Sequence, residues 1–245
     1  MKTIAHITDL HLDEQFPIDQ GVKARENIHK ILEDVKKRNV DEVIFTGDIG
    51  TPESNRWFFH LISKYGFDLK ITLGNHDTFV EAAKYFAPDQ LGKRSELYYS
   101  LQDNNFKYIF LDSSSGNISQ AQKNWFLDEL KTNKPILLFI HHPILETHTT
   151  PQREYPLKSS QQLCDHLKEL NSLIYIFCGH IHMKDERKEG NVSQFVTPAA
   201  CFQVKRNSET SEVDNINFGY RLIQIDEDKV SSEVLMFTPE TIEQK

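Results

Sequence analysis

Cysteine is scarce in this chain of 245 residues: only Cys164, Cys178 and Cys201, far apart and odd in number. No C-x-x-C pair exists, which argues against a disulfide framework and a thiolate zinc knot and for small buried hydrophobes in a reducing compartment. Long apolar runs are missing as well. None approaches the ~20 residues that span a bilayer, and Met1-Lys2 leads straight into Thr3-Ile4-Ala5-His6-Ile7 with no signal-peptide core. The expected location is the cytoplasm, with no membrane partner. Positive charge is in deficit, 28 Lys and Arg against 36 Asp and Glu, for a net charge of −8. A nucleic-acid polymer needs clustered cations along its backbone, so that partner is not expected. A small phosphate ester remains open, because bound metal ions can make one site positive within an acidic protein. There is no low-complexity tract and no composition break, and residues 1–245 read as one domain, as a monomer or a homodimer.

What the chain does have is a set of short apolar runs that empty into polar turns. Residues 2–8 run into Thr8-Asp9-Leu10-His11. Val43-Ile44-Phe45-Thr46 ends in Gly47-Asp48, and Leu69-Lys70-Ile71-Thr72-Leu73 ends in Gly74-Asn75-His76-Asp77. Pro135-Ile136-Leu137-Leu138-Phe139-Ile140 runs into His141-His142-Pro143, and residues 173–177 into Cys178-Gly179-His180-Ile181-His182. Glycine lets a chain turn sharply at a strand end, and proline stiffens the exit.

Between the first strands, residues 21–39 and 53–65 carry the apolar stripe of surface helices (Val22, Ile28, Ile31, Leu32 and Val35; then Trp57, Phe58, Leu61 and Ile62). That alternation predicts a parallel sheet with right-handed crossovers and its functional loops along one edge. Residues 96–101 and 106–111 alternate as a hairpin. Helices are expected over 119–130 and 158–170, loops over 144–157 and 205–217, and strands over 193–197, 200–204, 219–225 and 230–237. The tail after Thr238 is expected to fray. His29 and His60 read as ordinary helix residues, and Asp112 as a turn or helix cap.

Collected from the strand ends, Asp9, His11, Asp48, Asn75, His76, His141, His180 and His182 offer two carboxylates, several imidazoles and an amide oxygen. That is too many donors for one ion. It suits two borderline divalent metals about 3.5–4 Å apart that share one carboxylate. Mixed nitrogen and oxygen donors favour Mn, Fe, Zn, Co or Ni over Ca. Two such ions outweigh two aspartates and a bridging hydroxide, leaving positive charge where a phosphate docks. The bridging hydroxide would attack phosphorus. His76 would protonate the leaving oxygen or bind phosphoryl oxygens, with Asp77 fixing its tautomer. Each motif taken singly also has a bland structural explanation; five successive strand ends carrying complementary donors do not.

In order, D-x-H, G-D, G-N-H-D, H and G-H-x-H resemble the pattern of the calcineurin-like metallophosphoesterase superfamily, over residues 3 to about 225. The resemblance implies an α/β fold, a four-layer α/β-β/α sandwich of two mixed sheets flanked by helices. It implies that Asp9, His11 and His182 hold one metal, that Asn75, His141 and His180 hold the other, and that Asp48 bridges. It selects His141 over His142, and it matches His76 to the catalytic histidine and Asp77 to its partner. His-His-Pro at 141–143, Thr-Pro-Ala-Ala-Cys-Phe-Gln at 197–203 and Gly-Tyr-Arg-Leu at 219–222 are similar to the class III cyclic-nucleotide phosphodiesterases. The chain departs from that group in having Phe218 before Gly-Tyr and Ile144 in place of a second proline. The expected activity is therefore a dinuclear-metal phosphodiesterase acting on a cyclic nucleotide or other small diester. A phosphomonoesterase or protein phosphatase is the alternative, followed by a scaffold of the retromer-subunit kind. Loops 144–157 and 205–217 are the expected selectors of substrate.

Overall fold

A computed structural model of the chain describes residues 2–86, 92, 94–206 and 210–238. Two mixed sheets make up the fold. In the first, β1 (Lys2–Ile7), β2 (Glu42–Phe45) and β3 (Asp68–Ile71) run parallel. β12 (Phe218–Asp226) and β13 (Lys229–Phe237) extend it antiparallel, in the order β13-β12-β1-β2-β3. The second sheet has a parallel centre of β5 (Lys107–Phe110), β6 (Ile136–Phe139), β7 (Ile174–Cys178) and β9 (Val192–Val196). Its two edges, β4 (Tyr99–Gln102) and β8 (Asp185–Glu189), are antiparallel. Continuous apolar strands such as Ile136–Phe139 are what a sheet buried on both faces requires.

The covering helices follow their apolar stripes. α2 (Ala24–Lys37) buries Ile28, Ile31, Leu32 and Val35, and its Asp34 accepts a hydrogen bond from the Tyr220 hydroxyl on β12. α3 (Pro52–Tyr65) starts with proline in its first turn and stops at Gly66, whose φ of 76° only glycine adopts freely. α5 (Gln120–Glu129) is capped by the Ser119 hydroxyl, and α7 (Ser160–Lys168) buries Leu163, Cys164 and Leu167. The expected sandwich of two mixed sheets with outer helices is the fold observed.

The sheets are joined by aromatic packing. Tyr99, Phe110, Phe139, Phe177 and Phe195 sit in register on β4, β5, β6, β7 and β9, with successive ring centroids 4.5, 5.2, 5.5 and 5.2 Å apart and planes within 20° of parallel. From the opposite sheet His6 meets Phe139 and Phe177 edge-on, and the buried Arg221 guanidinium lies 5.2 Å from the Phe195 ring centre. Both ring nitrogens of His6 bond threonine hydroxyls, Thr197 at 2.6 Å and Thr46 at 2.8 Å. Burial pushes its pKa down to about 3, so it serves as a neutral clamp beneath the site.

Several elements differ from expectation, each for a physical reason. β8 reads Asp-Glu-Arg-Lys-Glu, with no apolar face to announce it; an edge strand pairs on one side and tolerates such charge. Of residues 200–204 only Gln203–Val204 (β10) is strand, paired with Val213–Asp214 (β11) inside the expected loop. The N–H groups of Ala200 and Cys201 go instead to the carbonyls of Thr8 and Asp9. Loop 144–157 contains a helical turn, α6 (Thr150–Glu154), begun by Pro151. Two further short turns went unsignalled, α1 (Gln15–Asp19) and α4 (Phe79–Ala82). Asp112 acts as the expected turn acceptor, bonding the N–H groups of Leu97 and Ser114. The tail after Thr238 lies outside the described residues, as does 207–209 of the polar loop.

Phe139, at the centre of the stack and fully buried, gives a test of the packing. Phe139→Ala is expected to cost about 3–5 kcal/mol of folding free energy. Urea unfolding measures it, and a loss below about 1 kcal/mol would mean that the stack does not carry the core.

Candidate metal centre

All five motif turns converge at the C-terminal edges of β1, β2, β3, β6 and β7. Their approach needs backbone that L-residues rarely adopt. Asp9, His11, Asp48, His180 and His182 have φ of 56°, 46°, 61°, 73° and 52°. Left-handed geometry costs on the order of 1 kcal/mol per residue, and it persists only where the surroundings over-determine it. Here they do. The N–H groups of Leu10 and His11 both bond the Asp48 carbonyl, and that of Asp9 bonds the Gly47 carbonyl. The β2 and β3 turns lie so close that a Cβ on Gly47 would overlap the Gly74 backbone, and one on Gly74 would overlap the Asp48 carboxylate.

Two clusters of donor atoms result. In one, His11 Nε2 and His182 Nε2 are 3.1 Å apart, and Asp9 Oδ1 is 3.5 Å from His182 Nε2. In the other, His141 Nε2 is 3.2 Å from both Asn75 Oδ1 and His180 Nδ1. Asp48 Oδ2 stands between them, 3.4 Å from His11 Nε2 and 3.3 Å from His141 Nε2. Its other oxygen accepts the His76 N–H at 2.8 Å. His76 projects into the opening with its side chain 44% exposed, whereas Asp9, Asp48 and His141 are buried. His142 turns away, with Nδ1 on the Ser113 hydroxyl at 2.9 Å.

The outward nitrogen of each clustered histidine is committed. His141 Nδ1 donates to the Thr46 carbonyl at 2.8 Å, His180 Nε2 to the Tyr155 carbonyl at 2.8 Å, and His182 Nδ1 to the Phe202 carbonyl at 3.1 Å. His11 Nδ1 meets Glu14 Oε2 at 2.9 Å. This is the pattern that fixes metal-ligating tautomers. As neutral rings held this way, they would turn unprotonated nitrogens toward one another across 3.1–3.2 Å, an arrangement that positive charge between them stabilises.

The electrostatics agree. Burial disfavours a charged ring at His11, but the Glu14 hydrogen bond and the Asp48 charge outweigh it and push the pKa up to about 9. His141 is likewise opposed by burial and raised to about 9 by Asp48. Burial and the His141 charge push His180 down to about 4. Burial works against ionisation of Asp9 as well, yet His182 and His141 hold its carboxyl well below the usual range. The buried carboxylates thus favour positive charge on the rings that face them.

Asp77 is not placed as expected. Its carboxylate is turned away from the His76 ring and accepts backbone N–H groups from Asp48 at 2.7 Å, Ile49 at 2.9 Å and Gly74 at 2.9 Å. Burial and the Asp48 charge push it up to about 7 against the pull of those donors. The carboxylate beside His76 is Glu14, 3.1 Å from Nδ1. Sequence reasoning missed Glu14, since an acidic residue three positions after His11 looks like any charged turn. It also missed the carbonyls of Thr46, Tyr155 and Phe202, which carry no side-chain signal.

A cleft of about 500 Å³ opens over the clusters. His11, Asp48, Asn75, His76, His180 and His182 form its floor, and Phe16, Tyr155, Phe202, Val204 and Val213 its apolar walls.

With this geometry the comparisons agree. The calcineurin-like phosphoesterase family matches residues 2–184. The chain belongs to that family. It is a metal-dependent phosphoric ester hydrolase, and the donor set fits a pair of divalent ions. Among curated relatives, a 3',5'-cyclic-nucleotide phosphodiesterase of Nostoc sp. is 29% identical over 91% of this chain and 87% of its own length. The 3',5'-cyclic adenosine monophosphate phosphodiesterase CpdA of Haemophilus influenzae is 24% identical over 92% and 86%. A dimetal phosphatase from Danio rerio shares the fold, with a TM-score of 0.66 at 14% identity over 97% of this chain and 98% of that one.

Asp77→Asn places an amide where three buried N–H groups expect acceptors. It should destabilise the fold by about 1–3 kcal/mol, read as a lower unfolding midpoint in denaturant. An unchanged midpoint would show that the clasp does not hold the turns.

Proposed function

We propose that the protein is a phosphodiesterase of small diesters, 3',5'-cyclic nucleotides first among them, working with two divalent ions such as Mn, Fe, Zn or a mixed pair. The observation that carries this reading is the cleft. Its floor carries five of the seven donors of the two clusters that share Asp48, with Asp9 and His141 buried behind them, and its walls are apolar and partly aromatic. Among the described residues lining it there is no Lys or Arg, while Glu14 and Glu154 are acidic. Such a cleft suits a phosphate with one negative charge and a planar substituent.

Asp9, His11 and His182 would hold one ion, Asn75, His141 and His180 the other, and Asp48 both. When bound, the ions supply Lewis acidity toward the phosphoryl oxygens and a water activated for in-line attack. The chain's own residues do the rest. His76 faces the opening and would deliver a proton to the leaving oxygen. Asp48 orients the His76 backbone by accepting its N–H, and Phe16, Phe202 and Tyr155 would flank a bound substituent on one side of the site. Donors from both sheets build the site, which supports reading the whole chain as one catalytic domain. Three buried free cysteines fit a reducing, cytoplasmic setting. No helix among the described residues is long and apolar enough to cross a membrane.

The test is hydrolysis of bis(p-nitrophenyl) phosphate against p-nitrophenyl phosphate, after metal removal by chelator and restoration with manganese. Diester turnover that returns with metal, and falls on the order of 100-fold or more in Asp48→Asn, is the expected outcome. A preference for the monoester would move the protein to the phosphatase reading. Metal uptake without turnover of either ester would favour a binding role.

The walls give a second prediction. Phe16 and Tyr155 are 55% and 63% exposed at the mouth of the cleft. Stacking of a base on an aromatic ring contributes about 1–3 kcal/mol. Phe16→Ala should therefore raise KM for a cyclic nucleotide at least about 5-fold and leave KM for a glycerophosphodiester nearly unchanged. Equal effects on both substrates would remove the base from the reading.

A further inference from the structure

Glu14 occupies an unusual position. It is the residue before α1, its side chain is only 17% exposed, and it sits between the turn after β1 and the turn after β3. A single oxygen, Oε2, lies 2.9 Å from His11 Nδ1 and 3.1 Å from His76 Nδ1. A carboxylate oxygen has two lone pairs and can accept both N–H groups at once. The two rings meet edge to face, with centroids 4.6 Å apart and planes at 85°, which brings both Nδ1 atoms to the same acceptor. Asp77, next to His76 in sequence, cannot serve here, because its oxygens hold the N–H groups of Asp48, Ile49 and Gly74.

We infer that Glu14 is the positioning residue of His76: it holds the ring as the Nδ1–H tautomer, aims Nε2 into the cleft, and ties the proton donor to the ligand His11 through one shared oxygen. The kinetic part of this inference rests on the reading of His76 as proton donor. In that reading water attacks phosphorus and the bond from phosphorus to the leaving oxygen breaks. The Nε2 proton of the His76 imidazolium passes to that oxygen, which leaves the ring neutral with its Nδ1–H still donated to Glu14. The proton released by the attacking water restores the acid. Without Glu14 the neutral ring is free to rotate or to move its proton to Nε2, and the coupling to His11 is lost.

Two measurements on the zinc-loaded protein, with metal content matched between variants, test the inference. In nitrogen-15 spectra of histidine-labelled protein, neutral His76 is expected as the Nδ1–H tautomer in the wild type. It should shift toward Nε2–H in Glu14→Ala, with Glu14→Gln, which keeps one acceptor, in between. In turnover, a diester with an alkoxide leaving group needs the proton and a nitrophenyl diester does not. The ratio of their rates is expected to fall at least about 10-fold in Glu14→Ala. An unchanged His76 tautomer overturns the inference. So does an equal loss on both diesters, which would mean that Glu14 acts only through His11 and the metal. A wild type that hydrolyses neither diester but shows the tautomer shift would sink the phosphodiesterase reading while leaving the placement of Glu14 in force.

Discussion

The site hangs on one buried carboxylate that faces away from it. Asp77 collects three backbone N–H groups from the turns after β2 and β3. Those turns must approach so closely that Gly47 and Gly74 admit no side chain. Strand-end turns tend to splay, because their N–H groups seek water and their side chains repel at short range. The Asp77 carboxyl group between them satisfies those donors and so holds the turns together. With the turns clasped, Asp48 sits where one oxygen faces both donor clusters and the other reaches the His76 N–H. Asp77 therefore acts by fixing geometry.

A second layer of constraint fixes protons. Four imidazoles in one cavity could share protons in many ways, and most of those arrangements would bind no cation. Each outward nitrogen is instead bonded to an acceptor: a carbonyl for His141, His180 and His182, and Glu14 for His11. The carbonyls come from the β2 exit, from loop 144–157 and from the segment before β10, so three separate stretches of chain must be in place before the inward lone pairs are. This explains why the segment after β9 bonds back to Thr8 and Asp9 through Ala200 and Cys201 rather than continuing as strand.

How far the sequence carried can be read from single residues. The parallel strands and the convergence of their donor-bearing turns were legible because each is a local signal, an apolar run ending in a turn with a donor at a fixed spacing. Asp77 was misassigned because adjacency in sequence suggested adjacency in function. In space its neighbours are the backbones of Asp48 and Ile49, and backbone partners leave no trace in residue identity. Glu14 was invisible for the converse reason, since its partner His76 lies on a distant turn that only the assembled sandwich brings near. β8 was unreadable from its charges, and the Thr46, Tyr155 and Phe202 carbonyls belong to residues whose side chains do other things. Local chemistry is written in the sequence; the relation between turns is written in the fold.

The distribution of charge explains why so acidic a protein can take a phosphate at all. Among the described residues the cleft has no Lys or Arg lining it, so the positive charge it can offer a substrate comes from bound metal and from its histidines. Glu14 and Glu154 add negative charge to that lining, which works against a second negative charge on a bound ester. The apolar walls favour the same choice by a different route. They stabilise a planar substituent by burial and offer nothing to a second anionic group. In the proposed reading, a preference for a singly charged diester would come from what surrounds the metals, because the donor set itself would serve either ester.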